Sequence, residues 1–190
     1  KGVLVEHREN LWSTACAVVD IDRTKKKFDW VQISDAIMLL VYKDGSHKLV
    51  VPDYDHDTDL LSKWKEFADR GTPNIWPEML PDIIENRRQM NVTYGKLSGE
   101  PAAMNFLKYG QESLENVRHL LLFTDGLILP LRDPKMADDF STLTSLFLEG
   151  GLARIRDYVR KIESSDPDCR AYPRFKKSDD IAAIAISFDQ

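Results

Sequence analysis

With 190 residues, 43% hydrophobic and 30% charged, the chain has the length and apolar content of one globular domain, residues 1–190, with a sizeable core. A net charge of −5 and a pI near 5.4 exclude the basic stripe that nucleic-acid binding needs. No apolar run reaches the roughly 18 residues of a membrane span, and the first five residues are too short for a signal-peptide core.

The segment 13–21 (STACAVVDI) is small, β-branched and apolar, and predicts a buried strand with Cys16 as a small buried hydrophobe. A polar turn follows, carrying Lys25, Lys26 and Lys27. This only basic cluster lies between two apolar runs, as a solvated hairpin turn would. Phe28 to Ile33 alternates apolar and polar, the period of a half-buried strand. Ala36 to Tyr42 is a second apolar run, and Asp44-Gly45 then predicts a hairpin into His47–Val51. The first fifty residues therefore predict an antiparallel meander.

Residues 58–70 predict a helix, with Thr58 as N-cap, Leu60, Leu61, Trp64 and Phe67 as its apolar stripe, and Gly71 as its stop. Residues 77–90 predict a second helix. Residues 91–116 mix turn and strand signals. Val117 to Thr124 predicts a strand that Asp125-Gly126 breaks. Residues 135–164 predict a helix in two pieces divided at Gly150-Gly151, then comes a polar loop over 165–179, and 181–188 predicts a terminal strand. Strands, then helices, then a returning strand give an α+β layered domain.

Three aspartates stand at the edges of apolar strands: Asp35, Asp125 and Asp179. Taken singly, each has an ordinary structural reading as a bulge, a hairpin turn or a strand end. Their order and context say more. Ser13 to Val19 resembles the GSTA strand of the PP2C-like (PPM) metal-dependent protein phosphatases. Gln32 to Ala36, running on to Asp44-Gly45, resembles that family's GD strand and following turn. Leu49-Val50-Val51 and then Asp55-His56 is similar to the stretch leading into its T-x-D-H segment. Leu120 to Leu127 is similar to its LLLxSDGL motif, and Ser178 to Phe188 to its closing DN/DD strand. The five segments occur in family order over nearly the whole chain.

The resemblance implies an α-β-β-α sandwich of two antiparallel sheets flanked by helices. It implies Mg²⁺ or Mn²⁺, two or more ions in the intact site, held by carboxylates and water. Asp125 and Asp179 match core metal ligands, and Asp35 matches a ligand of an additional, weaker site. Asp180, one place beyond the ligand, reads as local strand capping. The implied reaction is hydrolysis of phosphoserine or phosphothreonine in a phosphoprotein substrate by a metal-activated water.

Departures are as informative. No Asp-Gly-x-Gly-Gly motif occurs, and the resemblance begins only near residue 13. The chain is thus expected to lack the fold's N-terminal part and, starting at Lys1, to be trimmed from something longer and inactive alone. Ser34 replaces the Gly of GD. Leu129 stands where many members carry a second Asp, with Asp133 out of register, and Ala182 replaces Thr or Ser. Two alternatives stay open: a pseudophosphatase or sensor domain with this fold, and an unrelated α+β binding domain.

Other candidates carry less. Asp53 to Asp59 begins like a calcium loop but has Thr58 and Trp64 where Gly and Glu are required. Gly95-Lys96-Leu97-Ser98-Gly99 lacks P-loop spacing. His7, His47, His56 and His119 are scattered, and Trp64 and Trp76 read as core or interface. Cys16 and Cys169 have no zinc spacing, and two isolated thiols fit a reducing, cytoplasmic compartment.

Overall fold

The computed structural model describes residues 7–52 and 57–188. Asp55-His56 and most of the aspartate-rich loop lie outside the described residues. Among the described residues, seven strands run β1 (Cys16–Asp22), β2 (Lys27–Ile33), β3 (Ile37–Tyr42), β4 (His47–Leu49), β5 (Lys108–Ser113), β6 (Val117–Phe123) and β7 (Ala183–Ser187). Helices α1 (Thr58–Asp69) and α2 (Trp76–Arg88) follow β4, and α3 (Phe140–Ser165) precedes β7. Among the described residues, no helix is long and apolar enough to cross a membrane.

The strands form two antiparallel sheets, ordered β1-β2-β5 and β4-β3-β6-β7. β3 is buried along almost its whole length, because it packs on both faces. Met38, Leu40 and Leu120 face Phe28, Ala17, Val19, Ile21 and Trp30 of the three-stranded sheet. Ile37, Leu39, Val41, Leu121 and Phe123 face Leu143, Phe147, Ile155 and Val159 of α3. This sheet-on-sheet-under-helix stack is the two-sheet, helix-flanked architecture implied by the resemblance. A third cluster joins α1 and α2 to the loop after α3, through Trp64, Ile75, Met79 and Cys169.

The meander expectation needs correction. β2 and β3 do not pair, since the chain leaves one sheet after Ile33 and enters the other at Ile37. β3 is apolar on both faces and can be satisfied only between two layers, so the strand partition follows burial rather than chain adjacency. The buried-strand reading of 13–21 also fails. β1 is an edge strand, half-buried, with Val18 exposed and Cys16 only partly covered. On the outer face of its sheet, Val18, Val31 and Tyr109 form one exposed cross-strand row. α3 begins at Phe140 rather than at residue 135, because Asp139 caps it, accepting from the Thr142 N–H at 2.8 Å. The break at Gly150-Gly151 is a kink, with φ +69° at Gly151.

The crossover carries a testable strain. Ser34 sits at φ +64°, the left-handed region that costs a residue with a Cβ. Its hydroxyl is buried and has no hydrogen-bond partner among the described residues. Ser34→Gly relieves both, against a smaller loss through added freedom in the unfolded chain. We expect a higher urea midpoint, equivalent to about 1 kcal/mol. A lower midpoint would contradict the assignment.

Candidate metal centre

Sheet register brings the three aspartates to one end of the sandwich. Ile37 pairs with Phe123, and Phe123 with Ala183. Asp35 lies just before Ile37, Asp125 just after Phe123, and Asp179 four residues before Ala183. All three line one cleft of about 840 Å³, together with Tyr94, Lys96 and Lys176.

Local hydrogen bonds fix the two later aspartates against each other. The Thr124 hydroxyl donates to the Asp180 carbonyl at 3.1 Å and accepts from the Ala182 N–H at 3.1 Å. Asp180 itself is exposed, and its backbone N–H donates to Asp179 Oδ1 at 2.7 Å. The Gly126 N–H donates to Asp125 Oδ1 at 3.0 Å. A Cβ at Gly126 would fall 2.3 Å from the Asp180 carbonyl oxygen and 3.3 Å from the Asp179 Cβ. Glycine at 126 is therefore what lets the two aspartate-bearing segments touch. Gly126→Ala is expected to cost about 2 kcal/mol in denaturant unfolding, because backbone rather than a flexible side chain must move. An unchanged midpoint would show that the segments are not so closely apposed.

From α3, Arg160 Nη2 donates to the Asp179 carbonyl at 2.6 Å, and its Nη1 donates to the buried Glu163 at 2.6 Å. The polar loop over 165–179 is built around Asp166, whose carboxylate accepts from the Arg170 and Tyr172 N–H groups and from Arg174.

The electrostatics are those of crowded carboxylates. Asp125 is pushed up to about 6, first by partial desolvation against the cleft walls and then by the charges of Asp35 and Asp179. Its side chain is nonetheless reached by solvent from the cleft. Lys96 Nζ meets Asp35 Oδ2 at 3.2 Å, and Lys176 Nζ meets Asp179 Oδ1 at 2.6 Å. The Tyr94 hydroxyl is raised to about 12, chiefly by burial and then by Asp57 and Asp35, so it stays protonated and donates to the Asn86 carbonyl at 3.2 Å.

Among the described residues, no three Asp, Glu, His or Cys side chains close around a single point as an ion cage would require. The donor set still suits a hard cation that keeps much of its own water and takes one or two carboxylates from the protein. Leu129 is buried in the core against α3 and offers no oxygen, and Asp133 is turned to its own loop, accepting from the Lys135 N–H. The sequence reading missed Lys96 and Lys176. No local signal pointed to Lys96, whose partner Asp35 lies 61 residues away in sequence.

No protein-family model and no curated protein matches the sequence. The solved structures similar to the chain include two phosphatases. One is the catalytic domain of the serine threonine protein phosphatase PstP in complex with two manganese ions, at 14% identity and TM-score 0.47, matched over 93% of this chain and 60% of that one. The other is serine-threonine phosphatase 2C from Toxoplasma gondii, at 13% identity and TM-score 0.48, matched over 95% of this chain and 60% of that one. The chain thus spans 60% of the length of each.

Proposed function

We propose that the chain is part of a PP2C-like, metal-dependent phosphatase acting on phosphoserine or phosphothreonine in a phosphoprotein. The observation that carries this reading is the convergence of Asp35, Asp125 and Asp179, from three separate elements, on one cleft. Five sequence segments in family order support it independently. Asp125 and Asp179 would be the principal ligands of Mg²⁺ or Mn²⁺, with Asp35 lining the same cleft. When bound, such an ion supplies an acidified water and a clamp for charge developing on a phosphoryl group. The protein's own part is positional. Thr124, Gly126 and Arg160 hold the two principal carboxylate segments together, Lys176 pairs with Asp179 and Lys96 with Asp35.

Manganese-dependent hydrolysis of p-nitrophenyl phosphate by the full-length protein tests this reading. Asp125→Ala should abolish it, whereas full activity in that variant would refute the site. A pseudophosphatase or binding role is the second reading. What favours it is that Asp35 and Asp179 are already neutralised by lysines and that Leu129 is committed to the core.

A further inference from the structure

Lys96 is not a stray surface cation. Its side chain is largely covered, as is that of Asp35. The segment that presents it is built by interlocking contacts. Asn91, buried at φ +59°, accepts from the Lys96 N–H through Oδ1 at 3.0 Å and donates from Nδ2 to Ser98 Oγ and Glu100 Oε2. Glu100 is also held by Arg8 at 2.8 Å. Gly95 lies against Phe106 and Ile33, at a separation no Cβ could occupy. Leu97 pairs with Thr14, exchanging backbone hydrogen bonds of 2.9 and 3.0 Å. The backbone around Lys96 is fixed, and its ammonium group meets Asp35 at 3.2 Å in the cleft that Asp125 also lines.

We propose that Lys96 is the resident cation beside Asp35, so that a divalent ion binds this cleft at Asp125 and Asp179 alone. The inference rests on the metal-site reading above and narrows it. Two observations carry it together: the ion pair delivered by a rigid loop, and the failure of any three acidic groups among the described residues to enclose one point. An ammonium at hydrogen-bond distance occupies the space that an additional ion would need. Its charge repels a second cation and satisfies the Asp35 carboxylate.

The test is Mn²⁺ binding by the 190-residue chain, followed by electron paramagnetic resonance, with ion number and affinity read separately from activity. Wild type should take one ion, and the Asp35→Asn/Lys96→Gln double variant, which removes the pair without changing the net charge, should leave its affinity within about twofold. Lys96→Gln alone should either take a second ion or bind the first about tenfold more tightly, and Lys96→Arg should behave as wild type. A tenfold or greater loss in the double variant would make Asp35 a ligand and overturn the proposal, as would a Lys96→Gln protein identical to wild type. If Lys96→Gln does not fold, the double variant and Lys96→Arg decide alone. A folded wild type that binds no Mn²⁺ sinks the metal reading and this inference with it. That result is distinct from a bound ion indifferent to Lys96.

Discussion

Replacing Asp166 by alanine is expected to lower unfolding free energy by about 3 kcal/mol in urea titration. The residue is buried, and its carboxylate gathers the Arg170 and Tyr172 N–H groups and the Arg174 guanidinium. Arg174 in turn donates to the carbonyls of Tyr172, Glu163, Asp166 and Lys177. Without Asp166, a largely covered guanidinium loses its counter-ion and two backbone N–H groups lose their acceptor. The pH dependence has a definite sign. Burial alone would raise the Asp166 carboxyl, but the backbone donors and Arg174 outweigh it and hold it below the ordinary range. Its stabilisation is therefore complete above the unfolded value of about 4 and is lost as pH falls through the lower folded one. The gap between wild type and variant should narrow only in acid. A gap that is constant with pH would mean that the carboxylate charge is not what holds the loop.

The second large effect is a reversal of sign at Asp125. Its folded carboxyl is raised to about 6 by partial desolvation and by Asp35 and Asp179. A raised acid costs nothing below the unfolded value of about 4. The cost grows as pH climbs toward 6 and is complete above it. Without divalent metal, Asp125→Asn should therefore be more stable than wild type at neutral pH. The side chain is open to cleft water, so screening limits the gain to about 1 kcal/mol. With Mn²⁺ at about a hundred times its dissociation constant, wild type should gain about 2.7 kcal/mol and the variant, binding about tenfold or more weakly, at most about 1.4 kcal/mol, inverting their order of thermal stability. An order that does not change with Mn²⁺ would contradict the role given to Asp125.

Much of this was legible in the sequence because the relevant signals are local. The β3 segment is an unbroken apolar run and β6 ends in one from Leu120 to Phe123, the Asp44-Gly45 turn sits at φ +84° on its glycine, and Gly150-Gly151 marks the kink in α3. Asp125 and Asp179 could be singled out because the segments that carry them resemble family motifs in family order, each acid alone having an ordinary structural reading. What stayed hidden depends on partners distant in sequence. β5 is a polar strand alternating half-buried and exposed residues, recognisable only once β2 lies beside it. Whether β2 pairs with β3 was decided by the two-sided burial of β3, which no local pattern specifies. Lys96 is 61 residues from Asp35 in sequence, and nothing in Gly95-Lys96-Leu97 announces the ion pair.

The role proposed for Asp125 and Asp179 is to hold one divalent ion between them. Calorimetric titration of Mn²⁺ into wild type, Asp125→Asn and Asp179→Asn at neutral pH tests it most directly. Saturable binding by wild type, weakened about tenfold or more in each variant, is the predicted result. Equal binding by all three proteins would contradict it.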